Sequence, residues 1–262
     1  MAESVDNGGK YRRDRRKFAL ISYILTVVFL LVAFGEWCMF YFIKAAKDFF
    51  ILKPWIMSII FVIGLILLVL FIFFEVLRFN FKINWLFALL IYECVVLGVV
   101  PLVVRQQLNP FLISFGVWTF ALLVFVVFGT LIPCDLTLNV VVLYVLAVTS
   151  IIGAIFFLML YIVINIPYSF IVVCFFIVLS ICLFVMYHAQ IINGGRFAEM
   201  RTNDYFLAAL ILFLDFLLMF LFSFQIAPKW SDECDENNWI NGTYTNSTTT
   251  TTSAYKLHIA QH

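Results

Sequence analysis

Apolar residues in this chain come in long unbroken runs, without the alternation of a half-buried strand. Seven runs stand out: Phe18–Ile43, Pro54–Phe74, Ile83–Val104, Phe111–Ile132, Leu136–Ile164, Ile166–Tyr187 and Tyr205–Ala227. A helix crosses the hydrocarbon core of a bilayer in about 20 residues, so each run is long enough to span it. The breaks are short, and "PCD" and "NIP" are so tight that each must be a hairpin between antiparallel neighbours. Pro54, Pro110, Pro133 and Pro167 mark or follow these turns, where a helix cannot continue inward. The fifth run is rich in β-branched residues, but it is too long and too uniformly apolar for a barrel strand. The pattern predicts an all-α polytopic membrane protein, a bundle of seven transmembrane helices. Residues 1–17 form a basic segment, 18–227 the membrane domain, and 228–262 a polar Ser/Thr-rich tail expected to be disordered.

Composition makes a soluble alternative untenable. The chain is 65% hydrophobic and 12% charged, with mean hydropathy +1.10. A soluble domain is about half apolar and a quarter charged, so lipid must act as solvent and the bilayer is the first partner. A net charge of +1 gives no global field for nucleic acid. The local run "KYRRDRRK", Lys10 to Lys17, holds six Lys/Arg and one Asp and reads as a cytosolic topogenic anchor. The first apolar run is too long for a signal-peptide core and lacks a small-residue cleavage site after it, so it is expected to remain as an anchor. Four of six cysteines lie within apolar runs, Cys234 stands alone in the tail, and no Cys/His metal spacing occurs. With no nucleophile–base pair or phosphate loop either, the sequence does not read as an enzyme and implies no resident cofactor.

Basic residues set the expected orientation. With the N-terminus in the cytosol, ten Lys/Arg fall on inner segments and six on outer ones, against the local trend of Lys44, Lys47 and Lys53 in the first loop. Seven crossings then place the C-terminus in the lumen or outside. The tail carries two N-glycosylation sequons, at Asn241 and Asn246, usable only on that side.

Three formal charges lie inside the runs: Glu36, Glu93 and Asp215. An ionised acid near the bilayer centre costs roughly 2.5–3.5 kcal/mol on insertion scales. Glu36 is near the outer end of its span and can snorkel. Glu93 and Asp215 must face the bundle, carry a proton or find a partner, and either is by default a candidate for ion or proton handling. The bland alternative is a neutral carboxyl that hydrogen-bonds a neighbouring helix. His188 is the natural partner for Asp215. If the sixth helix continues to about Asn193 and stops at Gly194-Gly195, the two side chains come within a turn of each other on antiparallel neighbours.

These residues carry a resemblance. "YHAQIINGG" (Tyr187 to Gly195) is similar to the Y-D-T-Q-x-x-x-G signature ending the sixth helix of the transmembrane Bax inhibitor motif family, lifeguard branch. "NDYFLAALILFLDFLLMFLFSFQI" (Asn203 to Ile226) resembles that family's last helix, "PCDLT" (Pro133 to Thr137) its turn between helices four and five, and "RFNFKINW" (Arg78 to Trp85) the entry to its third helix. The resemblance runs in order from about Tyr11 to Ile226, with the last-helix motif its specific part. It implies a seven-helix bundle in internal membranes, endoplasmic reticulum or Golgi first, with plasma membrane or endosome as alternatives. It also implies a cytoprotective regulator of apoptosis and calcium homeostasis, anti-apoptotic or receptor membrane proteins as partners, and a pH-sensitive calcium leak. In that family two aspartates on helices six and seven share protons and gate the pore. One maps to Asp215, and the other to position 188, which here is histidine.

The histidine changes the expected chemistry. An imidazolium neutralises Asp215 and offers no oxygen, so the pair should stay closed until alkalinisation removes the imidazolium. Ca²⁺ is then the expected permeant ion, with Asp215 a transient ligand. Arg78 is a second candidate latch for Asp215, and Glu93 and Glu36 are candidates for an ion path. The alternative function is a non-conducting membrane protein that modulates cell-death signalling, having lost the paired acids. A seven-helix receptor is disfavoured because the glycosylatable end is the wrong terminus and the loops are short.

Overall fold

The computed structural model describes residues 2–79, 81–138, 140–164 and 169–222. Trp230, Cys234, Asn241 and Asn246, with the rest of the tail, and the "NIP" hairpin lie outside the described residues. Nine helices are described: α1 Ala2–Phe42, α2 Lys44–Leu52, α3 Pro54–Phe73, α4 Glu75–Phe79, α5 Phe81–Val103, α6 Leu108–Leu131, α7 Val140–Ile164, α8 Ser169–Asn193 and α9 Tyr205–Phe222. Seven are long and apolar enough to cross a membrane, and no strand occurs among the described residues. The protein is therefore an all-α polytopic membrane protein. Two segments read as loops contain short helices, α2 in the first connection and α4 in the second. In α2, Phe50 is buried and packs edge-on against Phe40.

The helices differ sharply in burial. Of the most apolar window in α9, 61% is buried, against 11% in α6 and 17% in α3 and α7, so α9 is the bundle's centre and the others present faces to lipid. Rings fill the space around it: Phe213 packs on Phe29 and Tyr92, Phe216 on Phe115, and Phe220 on Trp37. The polar atoms of these rings are satisfied by backbone, as a dry interior requires. Trp37 Nε1 donates to the Val96 carbonyl (3.1 Å) and the Tyr92 hydroxyl to that of Phe29 (2.8 Å). Buried Ser22 and Thr26 donate to carbonyls one turn back in α1.

Close approach of α3 to α5 depends on Gly98. A β-carbon there would lie 2.5 Å from Cβ and 3.0 Å from Cα of Phe61. Gly98→Ala should therefore push the two helices apart and cost about 1–3 kcal/mol, the usual range for overpacking. The readout is the unfolding midpoint of the full chain in detergent, and an unchanged midpoint would contradict this packing.

Candidate functional site

The eleven-residue connection 194–204 between α8 and α9 gathers most of the charged contacts at one end of the bundle. α8 ends at Asn193, and Gly194 and Gly195 both have positive φ (70° and 73°), a conformation that favours glycine. The basic run is helical and continuous with the first span. Arg15, one of its members, is only 4% exposed. Its guanidinium donates to the carbonyls of Ile191 (2.7 Å) and Met200 and lies 3.7 Å from Glu199. Tyr11 donates to the same carboxylate. Burial raises the pKa of Glu199, but Tyr11, the Gly195 amide and the Arg15 charge outweigh it and hold the group below the usual range.

The turn between α6 and α7 is bound to this connection. Gln190 donates to the Cys134 carbonyl (2.9 Å) and accepts from the Leu136 amide (2.8 Å). Arg196 donates to the carbonyls of Ile132 and Pro133. Asp135 accepts from the Thr137 hydroxyl (2.6 Å) and from the amides of Thr137, Leu138 and Phe197. These donors, the Thr137 hydroxyl foremost, hold its carboxyl below the usual carboxylate range. Because the folded pKa is depressed, this contribution is complete above the unfolded pKa and is lost as pH falls through the folded one. Amide exchange at Thr137 and Leu138 should accelerate only in acid, below about pH 4, and Asp135→Asn should flatten that acid limb. Equal acid sensitivity in the variant would remove Asp135 from this role.

Deeper in the bundle, His188 on α8 and Asp215 on α9 meet directly. His188 Nδ1 lies 2.6 Å from Asp215 Oδ2, with no bridging group between them. Asp215 is 6% exposed. His188 is half-buried, flanked by Tyr187 and Phe184. Glycine brings a third helix to this place: a β-carbon at Gly129 of α6 would sit 2.7 Å from the Met186 carbonyl and 3.0 Å from Ala189 Cβ, on the turn that carries His188. A carboxylate against an imidazole in a water-poor setting can hold one proton between them or ionise as a pair, so the contact is able to change its strength with pH.

The other candidate residues are placed apart from this pair. Arg78 does not reach Asp215; it pairs with Asp204 at 3.0 Å, and more distantly with Glu75 at 4.0 Å. Arg78 lies in α4 at a helix junction, and Asp204 immediately precedes α9. Burial raises the Asp204 pKa, while Arg78 and Arg201 oppose the shift. Glu36 and Glu93 are half-buried on α1 and α5. Among the described residues neither forms an ion pair or hydrogen bond with His188 or Asp215. No group of three or more His, Cys, Asp or Glu side chains suited to a metal occurs among the described residues. Sequence reasoning missed Arg15, Gln190, Glu199 and Asp204; the spacing Arg15, Phe18, Ser22 was the available signal that Arg15 faces inward.

Together these features define a class, a polytopic α-helical membrane protein with a partly buried histidine–carboxylate contact between two of its crossings. No protein-family model, curated protein or solved structure matches the chain.

Proposed function

We propose that this protein is a pH-influenced calcium leak of an internal membrane, endoplasmic reticulum or Golgi, that regulates calcium homeostasis and apoptosis as a lifeguard-like Bax inhibitor motif protein. The carrying observation is the 2.6 Å contact between His188 and Asp215. While the imidazole is protonated, the two charges cancel and the contact bolts α8 to α9. Loss of the imidazolium proton leaves an anionic carboxylate with a weaker partner, free to meet a hard cation such as Ca²⁺. Flux therefore rises with pH. In this reading the N-terminus is cytosolic and the tail, with Asn241 and Asn246, lumenal, following the Lys/Arg asymmetry and the sequons.

A specific feature favours a second reading. The gate position holds one carboxylate where the resembling family has two, and that carboxylate is already matched by a ring nitrogen. This suits a non-conducting protein that acts by binding other membrane proteins in death signalling. Reconstitution in liposomes with a lumenal calcium dye, from pH 6 to 8, separates the two. The leak reading expects flux that climbs with pH in the natural protein and is flat in Asp215→Asn, which keeps the side chain's shape without its charge. Indistinguishable profiles would exclude Asp215 as the gate, and flux no greater than in empty liposomes would favour the second reading.

A further inference from the structure

The basic run divides into two parts. Arg15 turns inward and is consumed by the 194–204 connection, whereas Arg12, Arg13, Arg16 and Lys17 are all exposed. At 3.6 residues per turn these four occupy an arc of roughly 140° on α1, with Arg15 and Asp14 outside it. With Gly9 and Leu20 they line an open cleft of about 360 Å³. None of the four forms an ion pair among the described residues.

The same arc continues down the helix as Leu20, Ile24, Val27 and Leu31, which are 60%, 55%, 43% and 63% exposed. From Arg12 onward this face is thus strongly cationic for about one and a half turns and apolar below. The cationic stretch, Arg12 to Lys17, rises about 7.5 Å. That matches the roughly 5–7 Å left for headgroups on each side of the hydrocarbon core. A soluble anion would use only the upper half of this face, and an uncharged lipid only the lower half.

We propose that this face of α1 is a binding site for an anionic phospholipid with a polyphosphorylated headgroup. The phosphomonoesters lie among Arg12, Arg13, Arg16 and Lys17, and an acyl chain lies along Leu20, Ile24, Val27 and Leu31. Guanidinium groups suit this role because their planar fork matches phosphate oxygens in pairs. Four cations within two turns exceed what a single phosphodiester needs, which selects a headgroup bearing additional phosphates. The site does not depend on whether the protein conducts ions.

The test uses the full chain in nanodiscs of phosphatidylcholine doped with phosphatidylinositol bisphosphate, with bound lipid counted by native mass spectrometry. The natural protein should retain the bisphosphate lipid at least tenfold over phosphatidylserine at equal total charge. R12Q/R13Q/R16Q/K17Q should lose about a hundredfold or more in retention, since each basic residue near an anionic surface contributes about a factor of five. R16Q/K17Q should lose an intermediate amount, which keeps the test valid if the quadruple variant folds poorly. K44Q/K47Q, in α2 beyond the far end of α1, should bind as the natural protein does. Soluble inositol trisphosphate should compete at least tenfold more weakly than the lipid, because it lacks the chain. Retention by the basic-face variants within twofold of the natural protein overturns the site. Equal retention of phosphatidylserine overturns its headgroup preference, and equally strong competition by the soluble headgroup overturns the lipid as its occupant.

Discussion

Arg15→Met is expected to destabilise the protein by about 1–3 kcal/mol, the usual consequence of taking a buried charged donor away from two backbone carbonyls. Methionine keeps the length and the apolar stem but leaves the Ile191 and Met200 carbonyls and the Glu199 carboxylate without their shared cation. The damage should be local first. Gly194 holds its left-handed backbone angle against this guanidinium, so the 194–204 connection loses its clamp before the apolar helices separate. Limited trypsin digestion should then cut rapidly after Arg196 and Arg201, and the unfolding midpoint in detergent should fall. Arg16→Met, one residue away and exposed, should change stability by no more than about 0.5 kcal/mol. Equal protease resistance in the two variants would show that the clamp does not hold the connection.

The contrast between these neighbours explains what the sequence disclosed and what it hid. The crossings were legible because about 20 apolar residues leave the backbone only helix as a way to satisfy itself in lipid. The end of α8 was legible because Gly194-Gly195 follows an unbroken run and supplies the positive φ that ends a helix. The His188–Asp215 approach followed from helical rise along two helices joined by a short connection, and the direct contact is closer than that arithmetic required. Arg15 was hidden inside a block of like charges, where topogenic attraction explains every residue equally well. Only the helical phase, fixed once α1 extends continuously through the block, separates it from Arg12, Arg13, Arg16 and Lys17. Arg78, a second candidate partner for Asp215, is found with Asp204 instead. Asp204 and Asp215 both belong to the last-helix motif, but they differ by about 16 Å along an axis, and a base at a helix junction reaches the acid at the same depth.

Charge governs the expected result at position 188. His188→Asp should raise calcium flux at pH 8 at least tenfold over the natural protein, with a smaller gain at pH 6. In the natural protein the 2.6 Å contact joins a carboxylate to a group that is either cationic or neutral, so attraction or a plain hydrogen bond holds α8 to α9. The variant places two carboxyls there. With one proton shared between them the contact survives, but two carboxylates a few ångströms apart repel, and once alkaline conditions remove that proton the helices are driven apart. The same change supplies a second hard oxygen ligand, which favours Ca²⁺ over no ion at all. His188→Asn separates repulsion from simple loss of the ring: it removes the imidazolium without adding charge and should leave flux nearly flat across pH 6 to 8. Liposome measurements with a lumenal dye read all three proteins on one scale. If His188→Asp conducts no more than His188→Asn at pH 8, charge at this contact does not control the opening of α8 from α9, and the protein acts by some means other than a gated leak.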